Sequence, residues 1–517
     1  MIIGVKPLLN CNFFEFTGTI LCDGCLIEKE LRSLLEKDGG VMKTIWIALL
    51  YVCIFGLSIY VYSTQLSGPD ADLHQRLLPV EIKTVKSGTS KNELQKVVLD
   101  AGKDGDVLSI AGMQHSQGGQ TMYPNGIMID MKPYNQIIEV DEDAKTVTVQ
   151  SGARWADIQE AINPYGLSLK VSQSQNIFTV GGSLSVNAHG LDIRNGGLSD
   201  TVLSMRLMNA DGEILQLSPA ENSELFFAVL GGYGLFGIIL DVTLQLTDDE
   251  LYEIQTASMP YSAYPSYFKQ QVKNDPEAKM HLARISIAPD SFMEDMYAIT
   301  YKSAKDQSLL PDYQKLKTEN LVAVPKFFLG LARINDAGKD NFWKSQKTYT
   351  QQIDGNLVSR NNVMRSDSEF MEYDNSRKTE ILQEYFVPTD QFEDYIPALK
   401  AVLEANPDFN LLNVTVRYVE QNDNAVLSYA KEDMFSLVLL INQGTDAESV
   451  QETQDVVQQL IDVTLAHNGS YYLPYFGYPT KAQMQEAYPR TDEFFELKDR
   501  FDPDHRFMNL FYEEYRP

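Results

Sequence analysis

Along most of the chain apolar positions either alternate with polar ones or recur at helical spacing, and one segment does neither. Thr44–Ser63 (TIWIALLYVCIFGLSIYVYS) carries no charge over 20 residues, the length a helix needs to cross a bilayer. Trp46 at one end, and Tyr60 and Tyr62 at the other, suit the two interfaces. No small-residue cleavage pattern follows the run, and Cys53 is preceded by Val52 rather than a small residue. The pattern therefore predicts an uncleaved single-pass anchor. Met42-Lys43 resembles a start followed by a positive flank, so residues 1–41 read as an extension of uncertain status. Lys43 favours a cytoplasmic amino terminus, which places the body of the chain outside the cytoplasm.

After a polar linker at 65–79, short elements succeed one another over 80–248. Val80–Val85 alternates like a strand. Ser90-x-x-Glu93 is a capping box opening a helix with Leu94, Val97, Val98 and Ala101 on one face, and Gly102 and Gly105 close it. Val107–Ile110 is a buried strand that runs into the first glycine-rich turn, Ala111–Gly119 (AGMQHSQGG). Strands follow at Gly126–Met131, Ile137–Val140 and Thr146–Gln150, then a helix over Trp155–Ile162 closed by Pro164 and Gly166. A second glycine-rich turn spans Gly181–Gly190 (GGSLSVNAHG). Val202–Met208 and Glu213–Leu217 read as a hairpin around Asp211-Gly212. A third turn, Leu230–Ile239 (LGGYGLFGII), enters a strand.

Beyond Asp249 the glycine-rich turns stop. Strands are expected at Met296–Tyr301, Val363–Glu372, Gln383–Pro388, Asn413–Tyr418 and Phe435–Ile441, with helices at Phe392–Leu403 and Ser449–Leu465. An antiparallel sheet with helices on one face would form a second domain over 249–495, followed by a return segment at 496–517. The fold class is α+β.

Composition narrows the function. Against 43 basic residues stand 71 acidic ones, a formal net charge of −28, which repels phosphate backbones and argues against nucleic acid as a partner. The four cysteines, Cys11, Cys22, Cys25 and Cys53, all precede the globular body, so no disulfide staples it. Cys22-x-x-Cys25 lacks the second pair that would complete a zinc site, and no metal site is expected. Glycine lets backbone N–H groups approach a ligand closely, so two such turns with small hydroxyl residues suit a diphosphate. Two of the six histidines, His115 and His189, lie in them.

Taken in order, A-G-M-Q-H-S-Q-G-G, V-Q-S-G-A-R-W-A-D-I, F-T-V-G-G-S-L-S-V-N-A-H-G and L-G-G-Y-G-L-F-G-I-I resemble the PCMH-type flavin domain of the vanillyl-alcohol oxidase superfamily. The resemblance implies a two-subdomain FAD-binding domain. Its diphosphate would lie against Gly112, Met113, Gln114, His115, Ser116, Gln117, Gly118 and Gly119. Ser151, Gly152, Gly181, Gly182, Ser183, Ser185, Asn187, His189 and Gly190 would contact diphosphate or flavin ring, and Gly237 and Ile238 would lie by the adenine or ribose. In many members the histidine before the serine of the first turn carries the flavin covalently, which is the position of His115. His189 reads as a ring that hydrogen-bonds backbone near the cofactor.

The tail D-P-x-x-x-F-x-N at Asp502–Asn509 resembles that of the sugar-type members, the alditol and aldonolactone oxidases, as do E-Y-F-V-P at Glu384, V-R-Y at Arg417 and A-Y-P-R at Ala487–Arg490. Glu384 and Arg417 are the candidate substrate contacts, with a salt bridge across the sheet as the structural alternative. Tyr475 and Asn509 are further candidates, and the alditol-type lysine is replaced near Tyr475. The reaction implied is transfer of a hydride from a CH–OH carbon to flavin, with oxygen or a membrane acceptor as the next electron carrier. A 2-hydroxyacid dehydrogenase on the same fold would want a convergent arginine pair, and Arg417 has no partner evident in the sequence. A tethered flavin-binding protein without turnover is the alternative from another class.

Overall fold

The structure, a computed structural model, describes residues 41–65, 77–173, 175–318, 322–371, 373 and 375–517, and within its first helix the side chains of 46–57 and 60. Cys11, Cys22, Cys25 and most of the linker lie outside the described residues. Helix α1 (Val41–Gln65) is continuous, with Trp46, Leu50 and Leu57 exposed and Phe55 edge-on to Phe327 at 5.4 Å. Among the described residues no helix is long and apolar enough to cross a membrane.

The body is built from three sheets. In the first, β1 (Thr84–Ser87), β2 (Leu108–Ala111) and β3 (Ile127–Asp130) are parallel, in the order β1-β3-β2. Pairing begins at Thr84 rather than Val80. Helix α2 (Lys91–Asp104) buries Leu94, Val98 and Ala101 against this sheet's core. Ser90 caps it as the capping box requires, but the Glu93 carboxylate accepts from Thr89 N at 2.7 Å, one residue before the cap.

The second sheet is antiparallel. It comprises β4 (Ile137–Asp141), β5 (Thr146–Gln150), β6 (Leu167–Leu169), β7 (Val202–Met208), β8 (Ile214–Leu217) and β9 (Ile238–Asp248), ordered β4-β5-β9-β7-β8 with β6 on β9. Helix α3 (Trp155–Ile162) packs beneath it. The expected second turn begins as a short helix, α4 (Val180–Ser185).

The third sheet has eight strands, all pairing antiparallel: β10 (Leu251–Pro260), β11 (Ala278–Ile285), β12 (Asp295–Ser303), β13 (Leu357–Ser359), β14 (Lys378–Pro388), β15 (Asn410–Val419), β16 (Met434–Gly444) and β17 (Ser470–Tyr471). Their order is β13-β10-β12-β11-β15-β16-β14-β17. Helices α5 (Phe392–Ala405) and α6 (Ala447–Ala466) bury Tyr395, Leu399, Val457 and Leu460 in its core. Val363–Met371 is not a strand, and Glu372 lies outside the described residues. Arg360–Val363 forms one helical turn and Glu369–Met371 a 3-10 turn. The polar side chains before it hold this stretch against the second sheet instead: Arg360 donates to Leu169 O, pairs with Asp192 at 2.7 Å, and bonds Tyr252.

The tail closes the molecule. Leu108 N donates to Arg506 O and Met508 N to Leu108 O, so residues 506–508 extend the first sheet beside β2. Lys498, fully buried, donates to Leu235 O and Phe507 O and pairs with Asp502. All three donors of the ammonium are thus used.

Asp249, at the turn between β9 and β10, is buried with Oδ1 accepting from Asn361 N and Oδ2 unpartnered. Burial pushes its carboxyl up to about 6 from 3.8. Between those values the folded chain keeps a proton that the unfolded chain has lost, so this group's contribution to stability falls as pH rises through the window. Asp249→Asn is expected to be more stable than the parent by about 1–3 kcal/mol at pH ~8 and indistinguishable from it below pH ~4, checked by denaturant melts at both ends. A constant difference across pH would contradict the assignment.

Candidate active site

A cavity of about 1000 Å³ lies between the glycine-rich turns and one face of the third sheet, the upper end of the ~300–1,000 Å³ typical of ligand pockets. Its sheet wall is every second residue of four adjacent strands: Leu282 and Arg284 of β11, Asn413, Thr415 and Arg417 of β15, Val438 and Leu440 of β16, and Glu380, Leu382 and Glu384 of β14. The period of two puts them on one face. A one-residue bulge between Leu411 and Asn413 sets the phase of β15, turning Asn413 to the cavity while Leu411 pairs with Ile441 on the other face.

The opposite wall is the loop that leaves β2. Gly112, Met113, Gln114, His115, Ser116 and Gln117 line it, together with Ser151, Gly181, Gly182, Ser183, Ser185, His189 and Gly237. A Cβ on Gly112 would stand 2.1 Å from Thr179 Oγ1, so a larger residue there would have to displace that hydroxyl. Among the described residues, the backbone N–H groups of Gly112, Met113 and Ser116 make no intramolecular hydrogen bond. Ser151 Oγ, Thr121 Oγ1 and Gln120 Oε1 are buried at the wall and equally unpartnered. Each such group costs about 1–3 kcal/mol unless a ligand meets it. A row of free donors and hydroxyls over a glycine cradle suits the phosphates and polar ring edges of a dinucleotide. The His115 ring is exposed to this space, edge-on to Phe178 at 4.7 Å.

Seven of the expected site residues lie away from the cavity wall. Gly118 N, like Gln117 N, is spent on Pro474 O, and Gly119, at a φ of 76°, packs on Leu510. Gly152 and Gly190 are wedged against the Met131 and Ser172 carbonyls. Asn187 Oδ1 accepts from Ser199 N, and Ile238 is core. Asn509 donates to Gln120 O and Tyr233 O and accepts from Tyr512 N, so it ties the tail to the turns rather than meeting a substrate. Ser183 reaches the wall, but its hydroxyl already holds Trp155 Nε1 and Thr179 O.

Glu384, Arg417 and Tyr475 do converge. The Glu384 carboxylate is 1% exposed, with Oε1 accepting from His189 Nε2 at 2.8 Å and from Ser436 Oγ at 2.5 Å. Glu384 thus pairs with His189 and Ser436 rather than in the Glu384–Arg417 salt bridge of the structural alternative, and His189 meets a carboxylate rather than backbone. Burial pushes the Glu384 carboxyl up, but His189, Arg417 and Ser436 outweigh it and hold the group below the usual range. Burial first, then the nearby Glu384 carboxylate, keep the Tyr475 hydroxyl protonated. Because an ionised carboxylate only accepts, His189 Nε2 carries a proton. His189 Nδ1 is buried without a partner, inside a ring of Phe386, Tyr429 and Tyr472 at 5.6–6.1 Å. Ser436 and Arg284 were not singled out in the sequence. Arg284 had a signal in the alternation of Lys279–Ile287, which puts its side chain on the same face as Leu282.

Two family models match: an FAD binding domain over residues 83–218 and D-arabinono-1,4-lactone oxidase over residues 342–515. The chain is an FAD-dependent oxidoreductase, similar to the aldonolactone oxidases. The first match covers the first two glycine-rich turns, and the second carries Glu384, Arg417, Tyr475 and the tail. L-gulonolactone oxidase of Mus musculus is 23% identical over 447 residues, 82% of this chain and 93% of the relative. L-gulono-1,4-lactone dehydrogenase of Mycobacterium tuberculosis is 23% identical over 425 residues, 81% and 93% of the two chains. Decaprenylphosphoryl-beta-D-ribose oxidase of Mycolicibacterium smegmatis is 33% identical over 172 residues, 33% of this chain and 37% of that protein. FAD fits the cavity's glycine wall, where the free N–H groups of Gly112, Met113 and Ser116 and the Ser151 hydroxyl would hold it.

Proposed function

We propose that this enzyme oxidises a CH–OH carbon of a small sugar-, polyol- or lactone-like substrate, held between the glycine wall and the third sheet. The observation that carries the reading is the buried Glu384–His189 pair at the cavity wall facing the turns. FAD, when bound, would supply a two-electron acceptor for the hydride that leaves the CH–OH carbon. The hydroxyl proton goes to the His189–Glu384 pair, in which Glu384 fixes the ring through Nε2–H and stabilises the cation that forms. Arg417 and the protonated Tyr475 donate to substrate oxygens and fix the carbon's orientation. The relatives named for gulonolactone support a lactone or sugar donor. Oxygen or a membrane carrier would remove the electrons.

Helix α1 anchors the chain in this reading, with the catalytic body outside the cytoplasm. Its support is the uncharged 20-residue run and the exposed Trp46, Leu50 and Leu57. His115 is the proposed point of covalent flavin attachment, supported by its exposure at the glycine wall. One set of preparations checks both points. The full chain should fractionate with membranes and a chain begun at Gln65 should not. Acid-precipitated protein should keep flavin fluorescence, and His115→Ala should release it. Flavin lost to the supernatant from the parent, or a full chain in the soluble fraction, would contradict the respective point.

The donor class is tested by steady-state reduction of an artificial acceptor with an aldonolactone, a polyol and a 2-hydroxyacid, and with oxygen alone. Turnover with the lactone or the polyol supports the reading. Turnover with the 2-hydroxyacid alone would replace it, and no turnover with any donor would favour a flavin-binding protein without catalysis.

A further inference from the structure

The sheet wall of the cavity carries two arginines whose charges no carboxylate neutralises by direct pairing. Arg284 sits opposite Thr415 across β11 and β15, and Arg417 is two positions further along β15, on the same face. Such diagonal neighbours have Cβ atoms about 7–8 Å apart, well within the convergence of two long side chains. Among the described residues neither guanidinium has a carboxylate within 4.0 Å. Arg284 Nη1 donates to the neutral amide oxygen of Asn413. Arg417 Nε is buried without any partner.

The acids on the same wall are occupied. Glu380 is taken by Arg333 at 2.5 Å, and Glu384 by His189 and Ser436. Set against Glu384, the one ionised carboxylate of this wall not paired with an arginine, Arg284 and Arg417 leave one positive charge in excess on the wall. In a chain of net charge −28 such a pocket is not a by-product of composition. A guanidinium buried without its full set of acceptors is costly, and its planar fork matches a carboxylate or phosphate.

We infer that the substrate carries an anionic group, a carboxylate or a phosphate, bound by Arg284 at the end of the cavity away from its reacting carbon, with Arg417 between the two ends. Arg284, Thr415, Val438 and Glu384 form one row across four strands. Three inter-strand steps separate the backbones of Arg284 and Glu384 by about 14 Å. A sugar-sized body fits between the two side chains, with its oxidised carbon at Glu384 and its charge at Arg284. Arg417 serves both ends, and Arg284 reads the charge. This inference rests on the proposed oxidation at Glu384 for the direction of the substrate, but not for the anion site itself.

The test uses the flavin-loaded full chain and three probes with one carbon skeleton: D-sorbitol, D-gluconate and D-sorbitol phosphate. Affinities come from calorimetry, independently of turnover. At least one anion is expected to bind 10-fold or more tightly than sorbitol, with the gap narrowing as salt is raised. Arg284→Gln should remove most of that gap by weakening the anion far more than sorbitol, and Arg284→Lys should retain part of it. Tighter gluconate than sorbitol phosphate would identify a carboxylate, and the reverse a phosphate. Anions that bind no better than sorbitol, or a preference that survives Arg284→Gln in folded protein, would overturn the inference. An intact anion preference with no flavin bleaching by any donor would instead count against the oxidation reading alone.

Discussion

Glu384→Gln is expected to lower the rate constant of flavin reduction on the order of 10³-fold, about 4 kcal/mol of barrier, with substrate affinity changed only a few-fold. The amide is nearly isosteric and still offers an oxygen to His189 Nε2 and Ser436 Oγ, so the site keeps its shape. What it loses is the negative charge that stabilises the His189 cation once the hydroxyl proton has moved. A general loss of packing would raise KM and lower thermal stability together. The charge loss predicted here leaves both nearly unchanged and acts on reduction. Stopped-flow reduction under anaerobic conditions separates the two. A variant reduced within 10-fold of the parent rate would show that the pair does not carry the proton.

Gly152→Ala is expected to yield protein that is destabilised by about 3 kcal/mol or more and is isolated largely without flavin. The added Cβ would stand 1.9 Å from Met131 O and 2.5 Å from Tyr134 O, both backbone atoms that cannot rotate away. Gly152 N also donates to Tyr134 O at 2.8 Å, so the two segments move together or separate. Next to it, Ser151 presents its unpartnered hydroxyl to the cavity and its carbonyl accepts from Gly181 N. Displacing residue 152 therefore shifts the start of α4 and the wall that holds the cofactor. The ratio of flavin to protein after purification, with a thermal melt, checks this. Full flavin content at parental stability would contradict the packing described.

The sequence carried the flavin domain well because its signals are local. A strand running into A-G-M-Q-H-S-Q-G-G, and alternation in Thr146–Gln150 and Val202–Met208, depend on neighbours a few residues away. The substrate wall was legible only in part. E-Y-F-V-P and V-R-Y marked Glu384 and Arg417, but their partners depend on contacts across 195 residues for His189–Glu384 and on the pairing of β11 with β15 for Arg284. Asn509 looked like a site residue because it ends a motif, yet its amide is consumed in holding the tail to Gln120 and Tyr233. The apolar residues of Val363–Glu372 suggested a strand. The polar Arg360 and Asn361 before it outweighed them by bonding the Leu169 and Leu167 carbonyls. The bulge that phases β15 leaves no mark on its own alternation.

The account is tested most directly by anaerobic mixing of the purified, flavin-loaded chain with an aldonolactone, a polyol and an anionic sugar while the visible spectrum is recorded. It predicts that at least one of these donors bleaches the flavin band of the parent, and that the same donor leaves Glu384→Gln oxidised over the same interval. A parent whose flavin stays oxidised with every donor, or a variant that bleaches as fast as the parent, would contradict it.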